Sequence, residues 1–115
     1  MRKLEELVRK LDLEIISEGG GLDREVLSGC CCDLLSWVMA HGKKGAIWVT
    51  VQAHVNVVAV ASLLELAGVI LPSGITMDEK AVEKAREEGI TILSSKMDAF
   101  HLSGMLYKMG IGSEG

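Results

Sequence analysis

The chain has 115 residues, 49% of them hydrophobic and 24% charged, a balance that fits one folded domain and excludes a disordered segment. A net charge of −4 with scattered basic residues argues against a nucleic-acid surface, and 3% aromatics are too few to stack single-stranded bases. No apolar run is long enough to span a bilayer, and the charged start Met1-Arg2-Lys3-Leu4-Glu5-Glu6 reads as a helix start without a secretory pattern. The expectation is a cytoplasmic protein with no membrane or nucleic-acid partner and no cofactor.

Leu4, Leu7, Val8 and Leu11 keep helical spacing, so residues 3–11 form a short amphipathic helix. Leu13, Ile15 and Ile16 suggest a strand that ends at Gly19-Gly20-Gly21. Glu25 to Leu27 reads as a second short strand. Cys31, Leu34, Leu35, Val38 and Met39 then trace one apolar stripe of a helix ending near Gly42, with Asp33, Ser36 and Trp37 opposite. A tryptophan on that polar face hints at a partner surface.

Cys30, Cys31 and Cys32 are adjacent, so they make neither a disulfide framework nor a zinc spacing. They read as small buried hydrophobes in a reducing compartment. The sharper alternative is a reactive thiol at a helix N-terminus.

From Ala46 the pattern alternates regularly. Ala46 to Val51 is β-rich, and Asn56 to Ala67 is a helix closed by Gly68 and apolar nearly all round. Such a helix is either wedged between layers or covered at a subunit interface, and the interface is the favoured expectation. Val69 to Leu71 is a strand. Thr76 with Glu79 reads as a capping box before a helix with a buried stripe of Ala81, Val82 and Ala85, stopped by Gly89. Ile90 to Leu93 is a strand. Met97 to Met109 is the last helix, capped by Ser95 or Asp98, and Gly110 to Gly115 reads as a frayed tail. The fold class is α/β: a mainly parallel, partly mixed sheet of about five strands with helices on both faces, in a single domain over residues 1–115.

Parallel sheets bind ligands beyond the carboxyl ends of their strands. Those ends carry Ser17, Glu18 and the three glycines; Gln52, His54 and Asn56; Pro72, Ser73 and Gly74; and Ser94, Ser95 and Lys96. The densest run, Thr50-Val51-Gln52-Ala53-His54-Val55-Asn56, places four polar side chains on one face if it is extended. It could hold a small polar ligand. The bland reading makes His54 or Asn56 a helix cap and lets Gln52 satisfy backbone groups. No nucleophile stands beside His54, no phosphate loop follows Lys43-Lys44, and Arg24 stands where a dinucleotide fingerprint needs glycine. His41, His54 and His101 lie on separate elements, so no metal is expected.

The stretches Asp23-Arg24-Glu25-Val26-Leu27-Ser28-Gly29, Asp33-Leu34-Leu35-Ser36, Trp48 to Asn56 and Leu66-Ala67-Gly68-Val69-Ile70 resemble the DRTGG domain. So do Glu88-Gly89-Ile90-Thr91-Ile92-Leu93, Ala99-Phe100 and Gly104, and the resemblance runs roughly from Leu13 to Tyr107. Of the literal string only Asp23, Arg24 and Gly29 are echoed. The cysteine run and Trp37 depart from the pattern. The resemblance implies an accessory α/β domain similar to the amino-terminal domain of the HPr serine kinase/phosphatase, with a regulatory or assembly role. The expected function is a non-catalytic, homodimeric regulatory domain open to a small polar or nucleotide-like ligand and to a protein partner. Its candidate binding residues are Asp33, Thr50, Gln52, His54, Asn56, Gly74 and Ser94. The alternative is a small enzyme or dedicated binding protein built on Gln52, His54 and Asn56.

Overall fold

A computed structural model describes residues 2–112. In chain order the elements are β1 (Arg2–Lys3), α1 (Leu4–Leu11), β2 (Glu14–Ser17), β3 (Glu25–Val26), β4 (Ser28–Cys31), α2 (Leu35–His41), β5 (Ala46–Val49), α3 (Val55–Leu63), β6 (Gly68–Leu71), α4 (Glu79–Glu88), β7 (Ile92–Ser94) and α5 (Ala99–Lys108). The main sheet has five strands in the order β2-β7-β6-β5-β4. β4, β5, β6 and β7 are mutually parallel, and β2 lies antiparallel on β7. The expected mixed α/β sheet is therefore present. β1 and β3 form a separate antiparallel pair, so Arg2 and Lys3 begin a strand rather than a helix.

The central strands are buried on both faces, which is why they read as unbroken apolar runs. Ala46, Trp48, Val69, Leu71 and Ile92 pack with α2, α3 and α4 on one face. Ile47, Val49, Ile70 and Leu93 pack with α1 and α5 on the other. Because β4 to β7 succeed one another in spatial order, their three crossover helices share one face. The strand order never reverses among them, so they lack the switch point that opens a ligand crevice in doubly wound folds.

Several expectations are corrected. β4 occupies the position where a helix through Cys31 was expected, and the helix starts only at Leu35. On β4 alternate side chains take opposite faces, so Cys30 turns to the core while Cys31 is exposed. The cysteines are neither fully buried nor at a helix N-terminus. Leu34 and Met39, expected in the buried stripe, are exposed, and only Val38 of α2 is fully covered.

α3 stops at Leu63, and a left-handed Glu65 turns the chain into Leu66 and Ala67 before β6. The apolar girth of α3 serves the interior of this chain. Val57, Val58, Val60 and Ala61 are buried in the cluster shared with residues of α2 and α4. Those four side chains are thus covered within this chain, while Ala59 and Leu63 of the same helix stay exposed. α4 is capped by Asp78, whose carboxylate accepts from the Ala81 N–H at 2.8 Å, and Thr76 lies outside the helix. Of the two caps expected for α5, Asp98 takes the position. In the tail, Ile111 is buried against the α1/α5 face, while Ser113 to Gly115 lie outside the described residues.

The antiparallel setting of β2 has one consequence for function. Its end, with Ser17, Glu18 and Gly19, reaches the amino edge of the parallel strands, where the Thr91 hydroxyl donates to the Glu18 carbonyl at 2.6 Å. These residues leave the candidate site. Gly19 has φ +60°, and a Cβ there would meet the Ile90 carbonyl carbon at 2.3 Å, so the close passage of two backbones requires glycine.

Candidate ligand site at the carboxyl edge of the sheet

β5 ends at Val49, and the chain turns there instead of staying extended. The alternating Thr50, Gln52, His54 and Asn56 therefore do not share one strand face. Thr50 is buried, Gln52 is half-buried, and His54 and Asn56 are exposed.

Asp33 organises the turn. One oxygen of its carboxylate accepts the Thr50 hydroxyl at 2.8 Å and the Val51 N–H at 2.9 Å. The Gln52 amide nitrogen donates to the Asp33 carbonyl at 3.2 Å, and the Gln52 N–H donates to the Thr50 hydroxyl oxygen at 3.1 Å. Beneath this net the Trp48 indole donates to the Cys32 carbonyl at 2.8 Å. These bonds tie the outgoing ends of β4 and β5 together and satisfy backbone groups that the ladder no longer reaches. Asp33, expected on the polar face of a helix, instead sits before it as a clamp.

His54 is the N-cap of α3. Its Nδ1 accepts from the Asn56 N–H at 3.2 Å, so the ring is the tautomer with its proton on Nε2. Asn56 lies next to it on the exposed first turn. Gly74 and Ser94 belong to the β6–β7 side of the edge. The Gly74 N–H donates to the Ser95 carbonyl at 2.7 Å. The buried Ser94 hydroxyl donates to the Ile75 carbonyl at 3.3 Å.

The predicted residues thus fall into two groups along one edge. Asp33, Thr50, Gln52 and Ser94 have their side chains engaged in holding loops. His54 and Asn56 present side chains to solvent, as does Lys96 beyond β7. No proton-transfer pair arises here: Gln52 and His54 are both bonded to local backbone. Among the described residues no three His, Cys, Asp or Glu side chains gather to hold a metal ion. None of the described helices is long and apolar enough to cross a membrane.

Sequence reasoning missed a second feature. α5 exposes Phe100, Met105 and Tyr107. An apolar groove of about 800 Å³ runs along it, bordered by Cys31, Met97, Met105 and Lys108. The readable signal was an apolar residue on each side of the helix, with Leu102 and Leu106 turned inward.

The fold and the edge define a small α/β domain with a five-stranded, mostly parallel sheet. No family model matches the chain. No curated protein matches it either. Among solved structures it is similar to the CBS and DRTGG domains of the regulatory region of Clostridium perfringens pyrophosphatase, determined with the activator diadenosine tetraphosphate. The TM-score is 0.70 at 16% identity, over 90% of this chain and 45% of that one. The chain therefore spans under half the length of its structural neighbour, and the likeness is one of fold. The DRTGG resemblance read from the sequence has its structural counterpart in that fold.

Proposed function

We propose that this chain is a non-catalytic regulatory module that acts as a homodimer and senses a small polar, nucleotide-like ligand at the carboxyl edge of its sheet. The observation that carries the reading is the division of labour at that edge. The Asp33–Thr50–Gln52 net fixes the ends of β4 and β5, while the Asn56 side chain and the capping His54 ring are exposed to solvent. A rigid frame under a few open polar groups lowers the ordering cost of binding. Asn56 offers an amide donor and acceptor, His54 an Nε2–H, and Lys96 a cation for phosphate oxygens. The fold shared with a regulatory region that was solved with a nucleotide activator points the same way.

The test is native mass spectrometry of the purified protein followed by calorimetric titration with AMP, ADP, ATP and diadenosine tetraphosphate. A dimer that binds one of them, with Asn56→Ala weakening binding by about 1–3 kcal/mol, supports the reading. No binding at millimolar nucleotide, or binding indifferent to Asn56→Ala, His54→Ala and Lys96→Ala alike, overturns the site. Turnover of the bound nucleotide by the protein overturns the non-catalytic assignment.

A further inference from the structure

We infer that β4 and α5 together form the surface on which a second copy of this chain docks, joining two sheets across their β4 edges. The inference rests on the homodimeric reading above and gives that dimer its surface.

Among the described residues β4 is an edge strand, paired only with β5. An edge strand directs half of its N–H and C=O groups away from the sheet. The sequence Ser28-Gly29-Cys30-Cys31 carries neither the charge nor the proline that blunts such an edge. A two-fold axis perpendicular to the sheet beside β4 pairs it antiparallel with its own copy and satisfies those groups on both chains.

The same axis acts on α5. This helix stands over β4 and β5, since Leu102 and Leu106 pack with Ile47 and Val49 and a cavity of about 260 Å³ between helix and strand is lined by Gly29, Cys31 and Leu106. With strands about 4.8 Å apart, a helix in that position lies about 5 Å from the axis. Its symmetry mate then lies about 10 Å away, which is the packing distance of two helices. The surface is self-complementary in shape. Phe100, 81% exposed, projects beside the groove bordered by Met97, Met105 and Lys108. Gly104 has nothing within 4 Å of where a Cβ would stand and leaves room for a close approach.

Area agrees with shape. Phe100 and Tyr107, 81% and 64% exposed, offer roughly 300 Å² at about 200 Å² for each aromatic. Met105, the groove and the strand edge add to this, toward the roughly 800 Å² per partner of a standard interface. An extended peptide from another protein would cover the strand edge but leave Phe100 in water, so a second copy is the better fit.

The experiment compares wild type with Phe100→Glu/Met105→Glu by sedimentation velocity at micromolar to high-micromolar concentration, with hydrogen exchange over residues 28–31. Both substituted side chains are exposed in the single chain, so the fold is expected to survive, checked by circular dichroism. Tyr107→Glu, on the β4 side of α5, is an independent single variant. The expected result is a wild-type dimer with protected β4 amides. The double variant is monomeric with fast-exchanging β4 amides, and Tyr107→Glu weakens the dimer at least tenfold. A wild-type dimer unmoved by either variant overturns this surface and leaves the homodimeric reading intact. A wild type monomeric at high-micromolar concentration overturns both the surface and the dimer.

Discussion

The Asp33 carboxylate accepts the Thr50 hydroxyl at 2.8 Å across the gap between two neighbouring parallel strands. Thr50 is buried, so its hydroxyl has exchanged water for this partner. The same carboxylate oxygen takes the Val51 N–H, so one side chain holds the turn that leads to His54 and Asn56. The exposed end of the site is therefore only as ordered as Asp33 makes it.

Asp33→Ala is expected to destabilise the protein by about 1–3 kcal/mol, since it strands a buried hydroxyl and an N–H without partners. Asp33→Asn, which keeps a carbonyl oxygen in place, is expected to cost less. Urea unfolding of both variants checks the order. Equal stability of Asp33→Ala and wild type would remove the clamp.

Gly19→Ala is expected to destabilise strongly. The left-handed backbone costs a non-glycine residue roughly 1–2 kcal/mol, and the new methyl collides with the Ile90 carbonyl group, which is backbone and cannot swing aside. Gly89→Ala shares the positive φ but has open space around it, so it is expected to show only the backbone cost. Thermal unfolding of the pair separates strain from collision.

The three cysteines are expected to react unequally despite being neighbours. Burial, followed by the adjacent Cys32 and Cys31, pushes the Cys30 thiol above its ordinary pKa, so it stays protonated at neutral pH. Cys31 is exposed on the other face of β4. In protein dilute enough to keep chains apart, brief maleimide treatment is expected to label Cys31 first, roughly tenfold ahead of Cys30. Peptide mass spectrometry reads the order, and preferential labelling of Cys30 would contradict the placement of β4.

Acid is expected to loosen the α1/α5 face. The Asp98 carboxyl is held below its usual range by the His101 backbone N–H first and the His101 ring second. The Glu6 carboxyl is held low mainly by Arg2, 2.8 Å away. A carboxyl with a lowered folded-state pKa contributes stability that is fully present above the unfolded value, about 3.9 for Asp. That stability is lost as pH falls through the lower folded value. Asp98→Asn keeps a capping oxygen but does not titrate. Thermal unfolding from about pH 6 to about pH 2 should therefore fall less steeply for Asp98→Asn than for wild type. Identical slopes would show that the cap does not sense acid.

Much of this protein is decided by local sequence. The runs Ala46–Val49, Gly68–Leu71 and Ile92-Leu93 are apolar because both faces of the sheet are covered, and that burial made them readable as strands. The helices at Leu4–Leu11 and Glu79–Glu88 declare themselves by one apolar stripe each, and Gly89 stops the second in a left-handed turn. The tertiary structure decided what short-range pattern does not encode. Cys31, Leu34, Leu35 and Val38 keep helical spacing by coincidence, because an edge strand and the helix after it both carry apolar residues. Pairing with β5 selects the strand for Ser28–Cys31. The direction of β2 depends on contacts about 75 residues away, with β7, and that direction moved Ser17 and the glycines to the far edge. Whether the apolar helix α3 met another chain or its own was likewise invisible locally. Its pattern reports only apolar sides; packing beside α2 and α4 covers Val57, Val58, Val60 and Ala61 and leaves Leu63 exposed.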